Sequence, residues 1–113
     1  MSVGQASVGS DRRLQPRRVA SLAARLLLPG GLVLPATVAD ISPAGARITV
    51  GGAAPVHGPA TLVEVGSGLA HLCVVAWRRD HEAGLKFLRS QSLRGLVSGE
   101  FLEAKRVWEA AAR

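Results

Sequence analysis

The sequence contains no tyrosine, and its aromatic residues are confined to Trp77, Phe87, Phe101 and Trp108. Proteins that hold single-stranded nucleic acid usually offer several aromatic platforms for base stacking, so this scarcity disfavours that function. There is one cysteine, Cys73, which excludes an internal disulfide. Set between Leu72 and Val74, it reads as an inert buried thiol, compatible with a reducing compartment. Long apolar runs are missing too. The uncharged stretches Leu26–Ala39 and Ile48–Val63 are broken by Pro29-Gly30-Gly31, Gly51-Gly52, Pro55 and Pro59. A membrane span needs roughly 20 mostly apolar residues, so these breaks imply turns and no membrane insertion. Met1–Ser10 has neither the basic start nor the apolar block of a secretory signal. The expectation is a soluble, cytoplasmic protein.

Catalytic and metal-binding patterns are equally scarce. His57, His71 and His81 share no metal-ligand spacing and have no cysteine partner nearby. Ser42 lies in no Gly-x-Ser-x-Gly motif, and the glycine pairs lack the Lys-Ser/Thr of a phosphate-cradling loop. No catalytic residue and no metal site are assigned, and an enzyme is not expected.

What is present is a compact apolar scaffold with focused positive charge. At 113 residues and 48% apolar composition, the chain suffices for one core, and one domain is expected over residues 11–113. The formal charge is +6. Half of that excess lies in one short segment, where Arg12, Arg13, Arg17 and Arg18 face only Asp11. Such focusing favours an anionic partner. Residues 1–10 are small and polar and read as a flexible tail. Pro16 disfavours a helix through the arginines, so the expectation is an extended, flexible N-terminal arm.

Beyond the arm, short apolar runs alternate with Gly/Pro punctuation. Val19–Leu28, Leu32–Ile41, Ala46–Val50, Ala60–Val65, Leu69–Trp77 and Glu82–Leu88 read as six strands. Asp40–Gly45 and Arg78-Arg79-Asp80-His81 read as turns. This pattern predicts an all-β fold, a six-stranded antiparallel β-barrel over about 19–88. The C-terminal region, about 90–112, reads as helical. Ser90–Val97 could supply one or two turns, and Ser98 is a candidate N-cap for a helix over Gly99–Ala112. Phe101, Ala104, Trp108 and Ala111 recur at helical spacing, widened by Leu102 and Val107. Packing of that stripe on the barrel is the expectation, with a homodimer contact as the alternative.

The candidate binding chemistry lies in two stretches. A guanidinium offers a planar fork of donors suited to paired phosphate oxygens or to the O6/N7 edge of guanine, which nominates Arg13 and Arg17. The carboxylate of Asp40 can accept from the N1 and N2 hydrogens of guanine, a complement adenine lacks. Ser42 can donate to a phosphate or base oxygen, and Gly45 allows close backbone approach or a positive φ. Asp40 and Ser42 alone would fit an ordinary side-chain turn; pairing with the arginines points to a guanine nucleotide with more than one phosphate. Arg18 and Arg47 could touch phosphate or be solvated surface residues. Trp77, ending an apolar strand, is expected in the core, with base stacking as the alternative.

Arg13-x-x-x-Arg17 followed by Asp40-x-Ser42-x-x-Gly45 resembles the two-part signature of PilZ domains, receptors for the bacterial second messenger cyclic di-GMP. The resemblance covers about residues 11–90, including Asp11-Arg12, the segment Asp40–Ile48 and the closing Gly84-Leu85-Lys86-Phe87. It implies a PilZ-like six-stranded barrel with a C-terminal helix and an arginine arm that wraps the ligand. It also implies that a basic residue at Arg12 accompanies binding of a stacked ligand pair. On this reading the protein is a non-catalytic cyclic di-GMP receptor, with Arg12, Arg13, Arg17, Asp40, Ser42 and Gly45 as ligand-binding residues and no cofactor. Ordering of the arm would signal to an unidentified downstream protein partner. The alternatives are a basic barrel for single-stranded nucleic acid and a ligand-independent interaction module working through the C-terminal helix.

Overall fold

The computed structural model describes residues 18–51 and 56–112, and side chains from residue 21 onward. Arg12, Arg13 and Arg17 lie outside the described residues, as do the tail and most of the arm; for Arg18 the backbone alone is described. Six strands form a closed antiparallel barrel: β1 (Arg18–Leu27), β2 (Val33–Ser42), β3 (Gly45–Thr49), β4 (Pro59–Glu64), β5 (Leu69–Arg79) and β6 (Glu82–Ser92). Their order around the barrel is β1-β2-β3-β6-β5-β4, with β4 returning to β1. Closure gives each strand a neighbour on both sides over at least part of its length, β4 meeting β1 only along Ala24–Leu27, and this is how a small all-β chain satisfies most of its backbone without a second sheet.

Alternation along the strands separates two apolar clusters. Ala24, Leu26, Val38, Ile48, Leu62, Cys73 and Leu85 point inward and fill the barrel. Leu27, Val63 and Ala70 point outward from β1, β4 and β5, and the C-terminal segment covers them. That segment is a 3-10 turn (Gly99–Phe101) followed by α1 (Leu102–Ala111). Phe101 and Ala104 are buried against the outer cluster, with Val107 and Trp108 beside them. The predicted stripe is therefore used on the barrel itself, while Leu102 lies off it and is half exposed.

Three readings of the sequence are corrected. Ser90–Val97 is not helical: β6 continues to Ser92, because Arg89–Ser92 supplies the partner that the first residues of β5 require, with Ser92 opposite Leu69 and Ser90 opposite His71. Asp40 lies within β2, not in a turn; the reversal is only Pro43-Ala44, with Ser42 paired to Gly45. Likewise β5 runs through Arg79, and Asp80-His81 alone make the turn, Asp80 at φ +50°. Ser98 does precede the C-terminal helical segment, yet its side chain caps nothing. Its amide donates to Gln91 Oε1 at 3.0 Å instead.

A polar clamp ties β4, β5 and β6 together at one end of the interior. Glu64 and His71 are both buried, at 7% and 5% exposure. His71 Nε2 lies 2.5 Å from Glu64 Oε2 and Nδ1 lies 2.6 Å from the Ser90 hydroxyl. The ring stacks on Phe87 at 4.0 Å, nearly parallel. A buried carboxylate and imidazole are tolerated only when their hydrogen bonds are made, and here both ring nitrogens are engaged. Because a hydroxyl can donate or accept, the arrangement is satisfied by a neutral or a charged ring.

Candidate ligand site on the bulged outer face

The site is built by two irregularities in the strands. Along β2, Val38 is fully buried in the barrel, so simple alternation would send Asp40 inward as well. A bulge at Ala39 intervenes: Val38 pairs with Ile48 but Asp40 pairs with Arg47. Along β5, Val75 packs on the core and pairs with Leu85, yet Trp77 pairs with Gly84, so Ala76 is the extra residue. Each bulge turns a side chain that would otherwise enter the core onto the outer surface. The pairings Asp40–Arg47, Arg47–Gly84 and Gly84–Trp77 then form one lateral row across β2, β3, β6 and β5.

Within that row the electrostatics are tightly coupled. Arg47 Nε donates to Asp40 Oδ2 at 3.0 Å and Nη1 donates to Glu82 Oε2 at 2.8 Å. The hydrogen bond to Asp40, reinforced by both carboxylate charges, raises the Arg47 guanidinium above its already high value. Asp40 is largely buried, its side chain 12% exposed, whereas that of Arg47 is 36% exposed. The carboxylate is thus fixed in direction by a cation on the neighbouring strand.

Ser42 and Gly45 close the β2–β3 reversal next to this row. The Ser42 hydroxyl accepts from the Ala44 amide at 3.2 Å, a side-chain turn that leaves its own hydrogen to be donated. Gly45 does not adopt a positive φ. Its need is a close approach: a Cβ there would collide with the carbonyl oxygen of Leu85 on β6. Lys86, opposite Gly45 and exposed, adds a cation beside the turn.

Trp77 is not a core residue. It is 41% exposed and lies over Gly84, where any Cβ would run into the indole. Arg79 approaches its ring at 5.9 Å. Gly84, paired with Trp77 and lacking a side chain, makes room for the indole. Phe87 and Phe101 are taken up by His71 and by the outer cluster, so Trp77 is the exposed aromatic of this face. Cys73 is buried, and desolvation pushes its thiol up to about 12.

The start of β1 lies next to the Asp40 end of β2. Arg18 pairs with Ile41 and Val19 pairs with Asp40, so the chain enters the barrel beside the carboxylate. Among the described residues no group of three His, Cys, Asp or Glu side chains comes together, and no helix is long and apolar enough to cross a membrane.

A small closed antiparallel barrel, with one helix on its flank and a polar row beside the entry of a basic segment, defines the class of protein. The PilZ domain family model matches residues 11–98, and the chain belongs to that family, whose members include cyclic di-GMP receptors. No curated protein matches the chain significantly.

Proposed function

We propose that this protein is a non-catalytic receptor for cyclic di-GMP, bound on the outer face of β2, β3, β6 and β5. The observation that supports the reading is the pairing of Val19 with Asp40, because the residue that follows the arginines in sequence lies beside the carboxylate. In this reading Asp40 accepts from the N1 and N2 hydrogens of a guanine, and Ser42 donates to a ligand oxygen. Arg12, Arg13 and Arg17 engage phosphates and the O6/N7 edge, with Arg18 and Arg47 as further contacts. Gly45 acts indirectly, by letting β3 lie against Leu85 so that the turn keeps its shape. Trp77 offers a face on which a base can stack. Binding orders the arm over this surface, and a protein partner reads the result.

Single-stranded nucleic acid is the weaker reading. One exposed aromatic on this face gives one stacking platform, against the several that such surfaces use.

Titration calorimetry of the full chain with cyclic di-GMP tests the proposal, with cyclic di-AMP and GTP as competitors. Binding is expected for cyclic di-GMP alone, and Arg13→Ala, Arg17→Ala or Asp40→Ala each lower affinity by about tenfold to a hundredfold, the worth of a charge-assisted hydrogen bond. Absence of heat and of competition at millimolar ligand would refute it. Steep salt-dependent binding of oligonucleotides, indifferent to cyclic di-GMP, would favour the nucleic-acid reading instead.

A further inference from the structure

At the end of the β1–β2 hairpin opposite Asp40, two adjoining depressions share Leu28, Pro29 and Pro59. One, of 210 Å³, runs up to Glu100 and Glu103 at the start of the C-terminal helical segment. The other, of 250 Å³, is lined also by His57 and by Leu32, which is 42% exposed. We propose that this groove docks a short segment of a partner protein that presents aliphatic side chains beside a lysine or arginine.

Size, rigidity and charge each bear on the occupant. Either depression is smaller than the roughly 300–1,000 Å³ of sites for drug-sized ligands. Two linked depressions suit two anchoring side chains of one polypeptide. Pro29 and Pro59 give walls with fixed φ and no amide hydrogen to leave unsatisfied, so little ordering is lost on docking. At the helical end the rim is acidic, with Glu100 and Glu103, on a chain whose net charge is +6. Both oxygens of Glu100 are held by Arg89, at 2.6 and 3.1 Å. Glu103 is exposed and, among the described residues, has no ion-pair or hydrogen-bond partner. An unpartnered carboxylate beside an apolar floor is matched by a cation adjacent to aliphatic groups. The inference does not depend on the nucleotide reading, since the groove and the polar row lie at opposite ends of β1 and β2.

The test is amide-resolved NMR titration of the full chain with three pentapeptides. One has two leucines flanked by lysines, one the same leucines flanked by glutamates, and one serines between lysines. The lysine–leucine peptide is expected to shift amides within 27–32, 57–61 and 100–104, with the other two binding at least about tenfold more weakly. Glu103→Lys is expected to reverse the preference towards the glutamate-flanked peptide, and Leu32→Glu to abolish binding of both. Both variants change exposed side chains, and unchanged melting temperatures check that they fold. Absence of shifts at millimolar peptide overturns the proposal, as do shifts elsewhere or affinities that ignore Glu103→Lys. Concentration-dependent self-association that Leu32→Glu abolishes would put a second copy in the groove and also overturn it.

Discussion

Trp108 and Trp77 each lie over a glycine on the outside of the barrel, Gly68 and Gly84 respectively, and the two faces they mark have opposite fates. On the helix-covered face, Trp108 is partly buried and its Nε1 donates to the Val65 carbonyl at 2.8 Å. Leu27, Val63 and Ala70 lie beneath that helix, and Arg94 covers the ring at 5.3 Å. On the other face Trp77 is left half exposed beside an ion-paired row of Asp40, Arg47 and Glu82. The same local device, an indole set on a bare backbone, thus serves as a latch in one place and as an open platform in the other. What differs is the neighbourhood: apolar outward residues recruit a helix, whereas charged ones keep the surface wet.

The largest expected effect comes from breaking the latch. Trp108→Ala should destabilise the fold by about 3–4 kcal/mol, through lost packing and an orphaned Val65 carbonyl, read as a lower denaturant midpoint. His71→Ala should cost about 3 kcal/mol, because Glu64 stays buried without its imidazole partner, and the same denaturation series would show it. Next, Gly68→Ala should cost about 2 kcal/mol. Its φ of +75° strains any side chain, and the new Cβ meets the Trp108 ring at 2.8 Å. A blue-shifted indole emission that stays unchanged in this variant would show that the latch tolerates the intrusion.

A smaller effect depends on pH. Cys73 ionises near 9 when unfolded but only at about 12 in the barrel, since burial penalises the thiolate. The unfolded chain therefore loses its proton first, so stability is complete below about pH 9 and falls as pH rises towards 12. The slope approaches about 1.4 kcal/mol per pH unit, and Cys73→Ala should remove that share of it. Equal alkaline slopes for both chains would contradict the burial argument.

The smallest effect on stability is expected at the open tryptophan. Trp77→Ala should change the unfolding free energy by less than about 1 kcal/mol, yet weaken cyclic di-GMP by about tenfold if a base stacks there. A large loss of stability would mean that Trp77 is a second latch, and the contrast between the faces would fail.

Much of the architecture was readable along the chain. Pro29-Gly30-Gly31, Gly66-Ser67-Gly68 and the apolar runs between such breaks locate the strands within one to four residues at each end. The helix stripe was readable from spacing, since Phe101, Ala104 and Trp108 must share one side of a 3.6-residue period. Cys73 was readable as a buried thiol from its apolar neighbours. The continuation of β6 was not, because Arg89, Ser90, Gln91 and Ser92 are polar and only pairing with β5 makes them a strand. Nor was the Glu64–His71–Ser90 clamp, whose members come from three strands that the sequence alone does not place side by side.

Local composition thus determined the strand count and the C-terminal helix, because apolar periodicity and Gly/Pro punctuation act within a few residues. Which way Asp40 and Trp77 face was decided only by tertiary structure. A strand alternates with a period of two, and on that count both side chains belong in the core. The bulges at Ala39 and Ala76 break the alternation, and a bulge exists only relative to the strand it pairs with. Ile48 and Arg47 on one neighbour, and Leu85 and Gly84 on another, set the register that turns both residues outward.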